Sequence, residues 1–292
     1  MVSKIFTSVS LVFLISGNCW AASEPIQEVS VYSAELRQEL ETLRQKSFLI
    51  FDEKDRLFIN GWGRGLELIN KLAYEGRLAE LAHALSVDPL RVDCKTPDGQ
   101  CYLDGKYPLQ AALDGVADSV WVQAADCVKC MKLLIKCGAE HNIEWRGCYF
   151  GKLVEIPLIF RAAVIKKFDA VAVLLAAGTD VTMVDRYGHS IFFWLDMVNP
   201  CRNRSSQEDR IKLEIKKLLV GHFITLLSAV AQRDDLDEFV RLFNFFITQS
   251  RISVPELQGL LESPSAQNIT NYLRDKQTGL KLQDWLVKLI GE

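Results

Sequence analysis

Short apolar segments that end at a glycine recur along the 292-residue chain, and polar residues follow each of them. One segment runs through residues 128 to 137 and stops before Gly138, and a second runs through residues 170 to 177 and stops before Gly178. A glycine just past a helix can adopt the left-handed backbone conformation that terminates the helix. The pattern therefore predicts two helices with similar ends, forty residues apart in the sequence.

Three other segments share a second pattern, in which a turn leads into the start of a helix. They are "YPLQAALDG" from Tyr107, "IPLIFRAA" from Ile156 and "HSIFFWL" from His189. The turn before the third segment, from Asp185 to Ser190, combines an Asp and a Gly suited to a tight reversal with a hydroxyl placed to cap the next helix. A glycine-terminated helix follows each of the first two starts, so the sequence predicts repeated helix pairs.

These segments resemble the ankyrin-repeat family, whose unit is a turn and two antiparallel helices, usually about 33 residues long. "YPLQAA" and "IPLIFRAA" are similar to the opening of that unit, and "KLLIKCGAEHN" is similar to its close. More divergent copies are predicted at residues 68–99 and 224–246, with a last fragment from Asp275. The resemblance implies an all-α fold, namely an ankyrin-like solenoid of stacked helix-turn-helix repeats with divergent terminal caps.

The chain departs from the family pattern in three respects. Gln110 and Ile159 stand where the family usually has His, and the two closes are forty residues apart instead of 33. The stretch from Asp114 to Ala125 is predicted to be an insertion. An unrelated all-helical stack or bundle is the alternative.

The predicted organisation has three parts. Residues 1–22 have a positive start, a short apolar run and small residues at the end, which predicts a secretory signal peptide and an exported, periplasmic or secreted protein. Residues 23–63 are predicted to form an N-terminal helical cap, since Leu36, Leu40 and Leu43 recur at helical spacing. Residues 64–292 are predicted to form the repeat array, which is divergent over 200–292.

Composition and charge exclude several classes of protein. With 49% hydrophobic and 24% charged residues, the chain can bury a large core. A net charge of -3 gives no sign of the basic surface that binds phosphates, so no nucleic-acid partner is expected. The mature chain has no apolar segment long enough to cross a bilayer, so no integral membrane segment is expected.

Eight cysteines provide the sharpest local signal for chemistry. Cys127 and Cys130 are one helical turn apart, and Cys137 follows two turns later, at a position where the repeat usually has a small buried residue. Core packing or structural disulfides are the preferred interpretation, and a thiol-redox or metal-binding envelope protein is the alternative. Cys94 and Cys101 are the candidates for a disulfide, because the bridge would close a single loop.

Enzymatic motifs are missing from the sequence. None of the four histidines belongs to a known metal or nucleophile motif, and the glycine-rich stretch from Gly61 to Gly65 has Leu66 where a dinucleotide fingerprint would continue. We therefore predict no catalytic residue, no cofactor and no metal. An active site in the atypical region 200–292 is a third hypothesis, although no suitable residues cluster there.

The resemblance implies a protein-protein interaction module without catalytic activity, which binds through turn tips and first helices. The identity of the protein partner does not follow from the sequence. The predicted partner-binding residues are Asp98, Gln100, Trp145, Arg146, Arg186, Tyr187 and His189, all expected to be exposed.

Overall fold

A computed structural model describes residues 32–46, 65–87, 92–93, 106–118, 123–149, 152–197, 206–250 and 267–276, which belong to one compact unit. These residues are mostly helical, as the sequence predicts. The helices are α1 Ala34–Arg44, α2 Gly65–Tyr74, α3 Leu78–Val87, α4 Pro108–Ala117, α5 Ala124–Lys136, α6 Leu158–Val164, α7 Phe168–Ala176, α8 Ile191–Asp196, α9 Ser206–Gln232, α10 Leu236–Ser250 and α11 Gln267–Lys276. The predicted signal peptide lies outside these ranges.

Consecutive helices pack as pairs, and each pair packs on the next one along the chain. Helices α2 and α3, α4 and α5, and α6 and α7 form pairs, and α8 packs on α9. Helix α2 also contacts α4, α6 contacts α8, and α8 contacts α10. On the other side, α1, α3, α5, α7 and α9 contact one another in that order. Each pair thus has one apolar face that only its neighbours cover.

The helix ends share one hydrogen-bond pattern. After α5 the N–H of Gly138 donates to the carbonyl of Ile135, and the next N–H donates to the carbonyl of Leu134. The same two bonds follow α7 at Gly178, with φ values of +94° and +83° for the two glycines. The predicted glycine-terminated helices are therefore confirmed. Two further helix ends have this pattern without a glycine. They lie at Lys166 after α6, with a φ of +57°, and at Asp234 after α9, with a φ of +56°.

Side chains connect one turn to the next in a repeated way. The N–H of Glu140, two residues after Gly138, donates to Asp93 Oδ1 over 2.9 Å. The N–H of Asp180, two residues after Gly178, donates to Asn142 Oδ1 over the same distance. In both cases the donor lies two residues after the helix-terminal glycine, so each bond links that turn to a segment that precedes it in the chain.

A two-stranded antiparallel sheet interrupts the helices, which the all-helical prediction did not include. Strand β1, Glu144–Tyr149, pairs with β2, Lys152–Pro157, and the hairpin packs on α6. Only Phe150 and Gly151 separate the two strands in sequence, a spacing typical of a hairpin. Helical periodicity does not reveal so short a hairpin.

Two predicted boundaries were wrong. Residues Asp114 to Ala117 complete α4 instead of starting an insertion. The predicted copy at residues 224–246 does contain parts of two helices, but the first of them does not begin near residue 224, because it is the C-terminal part of the 27-residue helix α9; the second is α10. Gly221 does not interrupt α9, because a single glycine within a long helix costs only about 1 kcal/mol and the helix is buried along one side.

Apolar side chains form a continuous core along the helix rows. Aromatic rings concentrate where α8, α9 and α10 meet: Phe192 lies 5.9 Å from Phe223, and Phe223 lies 5.1 Å from Phe246, between ring centroids. These three rings therefore pack between the helices. Among the described helices, none has both the length and the apolar character needed to cross a membrane.

Candidate functional site

The turn between α7 and α8 is a tight reversal, as the sequence predicts. The N–H of Asp185 donates to the carbonyl of His189, and the N–H of Gly188 donates back to the carbonyl of Asp185, each over 2.9 Å. Gly188 has a φ of +80°, which a residue with a side chain rarely adopts. These bonds fix the backbone of the turn.

The carboxylate of Asp185 is the centre of this turn, although only 6% of the residue is exposed. Its Oδ1 accepts the backbone N–H groups of Tyr187 at 2.8 Å and His189 at 2.9 Å. Its Oδ2 accepts the indole N–H of Trp194 at 3.0 Å and lies 3.1 Å from His189 Nδ1. Burial opposes ionisation of the carboxyl, but these hydrogen bonds together outweigh it and lower the pKa of Asp185.

Ser190 does not have its predicted role. It occupies the residue before α8, but its hydroxyl makes no capping bond, and its Oγ is buried with no hydrogen-bond partner. Asp185 instead holds the start of α8 through Trp194.

The buried Asp185 leaves two aromatic contacts facing outward. Arg186 places its guanidinium 4.8 Å from the ring centroid of Tyr187 and donates from Nη2 to the Tyr187 hydroxyl over 2.7 Å. Tyr187 itself is 66% exposed. The His189 ring stacks on Phe193, with centroids 3.8 Å apart and planes within 7°. We call Arg186, Tyr187, His189 and Phe193 the turn surface.

Contacts among the four side chains of the turn surface restrict the rotamers available to them. Cation-π and stacking contacts hold the arginine and the histidine, and the hydrogen bonds of Asp185 hold the backbone beneath them. A preorganised Arg-Tyr pair loses little conformational entropy on binding, and both residue types are enriched in binding hot spots. Phe193 was not predicted as part of this surface, although it follows His189 at the helical spacing of four residues.

Of the other predicted partner-binding residues that the structure describes, only Arg146 is also exposed. It lies on β1, and its Nε is 2.9 Å from Glu155 Oε1 of β2. Asp98 and Gln100 lie outside the described residues, as do the disulfide candidates Cys94 and Cys101. His189 is half-buried by its stacking on Phe193, with 38% of its side chain exposed.

Trp145 is a correction, because it was predicted to be exposed and is only 4% exposed. Its indole N–H donates to Asp114 Oδ1 over 3.0 Å, and the guanidinium of Arg161 lies 4.3 Å from its ring. The ring folds over Gly147, where any Cβ would lie 2.2 Å from it. Alternation along β1 turns Trp145 inward and Arg146 outward, which a loop prediction could not distinguish.

The cysteines of α5 are buried and free. Cys127 donates its S–H to the carbonyl of Tyr74 over 3.2 Å, and Cys130 and Cys137 also lie in the core. Burial raises the pKa of Cys127 and Cys137 to about 11 and raises the pKa of Cys130 further still. Because the thiolate is the reactive and metal-binding form, these thiols behave as small apolar residues at neutral pH.

Comparison with known proteins adds no relative. Neither protein-family models nor curated proteins match this chain. Within the described ranges, no group of three or more His, Cys, Asp and Glu side chains is arranged to hold a metal ion. The turn surface, fixed by Asp185, is therefore the candidate site that the geometry favours.

Alkylation should distinguish buried thiols from reactive ones. We expect iodoacetamide at pH 8 to leave Cys127, Cys130 and Cys137 unmodified in the native protein, because burial keeps them protonated and covered. In denaturant all three should react, and mapping by peptide mass spectrometry separates them from the other cysteines. Rapid native labelling of Cys127 or Cys130 would instead support the thiol-redox alternative.

Proposed function

We propose that the chain is a protein-protein interaction module that binds its partner through the turn surface. The observation that carries the proposal is the buried carboxylate of Asp185, which holds exposed Arg186 and Tyr187 in one arrangement. A surface fixed by a buried charge favours recognition, since little has to be ordered when a partner binds. Catalysis has no comparable support, because no nucleophile and base are brought together there.

We further propose that the architecture is an ankyrin-like solenoid with divergent caps. Three features support it: helix pairs that pack on the next pair, equivalent hydrogen bonds from one turn to the next, and one recurring helix end. In this architecture α1 covers the first end of the stack and α11 packs against α9 near the other. Stability is then a sum of small units and their interfaces, and the turn tips form one continuous binding side.

Export by a signal peptide remains part of the proposal. Residues 1–22 have the composition of such a segment, and a partner in the periplasm or outside the cell follows from it. The test is direct: N-terminal sequencing of the protein purified from its native host should begin near residue 23. A mature chain that begins at Met1 would contradict export.

A pull-down from the native compartment tests the turn surface. We expect the variant with Arg186→Ala and Tyr187→Ala to lose a partner that the wild type retains, with binding weakened at least tenfold, since two hot-spot side chains are removed. The matched control is the variant with Arg210→Ala and Leu213→Ala, which removes exposed side chains of α9. Equal thermal stability of the two variants excludes unfolding. Identical partner lists for all three proteins would refute the proposed surface.

A further inference from the structure

The β1–β2 hairpin has one buried and one exposed face. Trp145 and Ile156, directly opposite each other, are buried against the helices. Arg146, Leu153 and Glu155 lie on the opposite face, and Leu153 is 65% exposed. The exposed face therefore carries an ion pair beside a large apolar side chain, which no described element covers.

The register shows which backbone groups of the hairpin point outward. The N–H of Leu158 donates to the carbonyl of Ile143, and the pairing of the two strands continues in the same register. In an antiparallel ladder, pairs that exchange hydrogen bonds alternate with pairs that do not. Arg146 opposite Glu155, and Cys148 opposite Leu153, are thus pairs whose N–H and C=O groups point away from the hairpin.

The two outer edges differ in what approaches them. On the β1 edge, the side chain of Gln110 in α4 donates to the carbonyl of Glu144, so α4 lies on that side. On the β2 edge, within the described part of the chain, no backbone group bonds to the outward groups of Leu153 or Glu155. An edge strand with unpaired groups is a template for another strand. The β2 edge is therefore the open one.

The hairpin itself shows which strand would complement β2. Strand β1 runs antiparallel to β2 and sets Arg146 opposite Glu155 and Cys148 opposite Leu153. A strand on the other edge of β2 faces the same two side chains. The second oxygen of Glu155 can accept another cation, and an apolar side chain beside Leu153 would cover its exposed surface.

We propose that the outer edge of β2 binds an extended peptide segment of a protein partner by antiparallel strand addition. The segment has a basic residue opposite Glu155 and an apolar residue opposite Leu153, in the order basic, any residue, apolar. Main-chain hydrogen bonds to Leu153 and Glu155 supply affinity, and the two side chains supply specificity. The inference goes beyond the proposed function, because it holds whatever the turn surface binds.

A synthetic peptide, Thr-Thr-Lys-Thr-Leu-Thr-Thr, tests strand addition on the full chain. At saturating peptide, we expect hydrogen exchange of the Leu153 and Glu155 amides to slow at least tenfold, while the Arg146 and Cys148 amides stay unchanged. Glu155→Pro removes an outward N–H and the carboxylate that pairs with Arg146, but no backbone hydrogen bond to β1, so it should weaken binding at least tenfold with the hairpin retained. A peptide N-methylated on the Leu nitrogen should bind equally poorly to the wild-type protein, whereas methylation of the Thr between Lys and Leu, whose N–H points away from β2, should leave binding unchanged.

Charge exchange supplies the second measurement. Glu155→Lys should weaken binding of the Lys peptide and restore binding of the same peptide with Glu in place of Lys. The variant with Arg186→Ala and Tyr187→Ala should bind the peptide as the wild type does, which separates this edge from the turn surface. Absence of binding at about 1 mM peptide, protection of the β1 edge instead, or unchanged affinity of Glu155→Pro would each overturn the proposal.

Discussion

Gly115→Ala should destabilise the protein by about 3 kcal/mol, because there is no room for a Cβ at this position of α4. An added Cβ would lie 2.1 Å from the carbonyl oxygen of Tyr74 at the end of α2, and 2.9 Å from the sulfur of Cys127 in α5. The first neighbour is backbone and cannot rotate away. Helix α4 would therefore have to move off α2, which breaks the packing between two helix pairs.

Urea denaturation followed by circular dichroism measures this effect, and α9 offers a matched control. Gly221 also lies within a helix, but an added Cβ would have nothing within 4 Å. Gly221→Ala should therefore raise the free energy of unfolding by up to about 1 kcal/mol, since alanine is the better helix former. If both variants are equally stable, α2 and α4 do not pack as closely as the structure has them.

Asp185→Ala should cost about 3 kcal/mol, because it removes the acceptor of one buried and two partly buried donors at once. The backbone N–H groups of Tyr187 and His189 and the indole N–H of Trp194 would lose their partner, and an unsatisfied buried donor costs about 1 to 3 kcal/mol. Thermal and urea unfolding measure the loss. Partner binding should fall as well, since the turn that presents Arg186 and Tyr187 is no longer fixed.

The control for this variant is Asp180→Ala. Asp180 is exposed and lies soon after Gly178; within the described part of the chain its carboxylate accepts hydrogen bonds from the N–H and the hydroxyl of Thr182 alone. Its removal should cost about 1 kcal/mol or less, as for other exposed turn residues. A loss for Asp185→Ala no larger than this would contradict the central role of the buried carboxylate.

The pH dependence of Asp185 follows from the direction of its pKa shift. The folded-state pKa lies below the value of about 3.9 found in unfolded chains, so the group binds fewer protons in the folded state. Its contribution to stability is thus fully present above about pH 4 and is lost as the pH falls through the folded pKa. Asp185→Asn should show a smaller loss of stability between about pH 4 and pH 2 than the wild type does.

Local patterns in the sequence predicted the helix ends and the turn beneath the site. Gly138 and Gly178 mark their helix ends because a positive φ favours glycine, and Asp185 and Gly188 mark a tight turn for similarly local reasons. The same end at Lys166 has no glycine, so no sequence rule indicated it. There the strain of a left-handed lysine is offset by its contacts, including a hydrogen bond from its amine to the carbonyl of Leu195.

Side-chain direction in the candidate site was beyond the sequence. Arg186 and Tyr187 could be predicted as exposed because the turn is local, whereas Trp145 and Arg146 are neighbours with opposite environments. Their directions depend on the hairpin register, which places Trp145 opposite Ile156. In that position the Trp145 indole reaches Asp114 of α4. A contact between residues 31 positions apart leaves no trace in a local pattern.

The sequence by itself determined that this chain forms short helices, where two of them end, and where a polar turn precedes α8. These features depend on hydrophobic periodicity and on the backbone preferences of Gly and Asp, which act within a few residues. Only the tertiary structure decided that Asp185 is buried under the turn surface, that Cys127, Cys130 and Cys137 are covered, and that no described strand pairs with the outer edge of β2. Those properties depend on which segments pack together, and packing joins residues that are far apart in the chain.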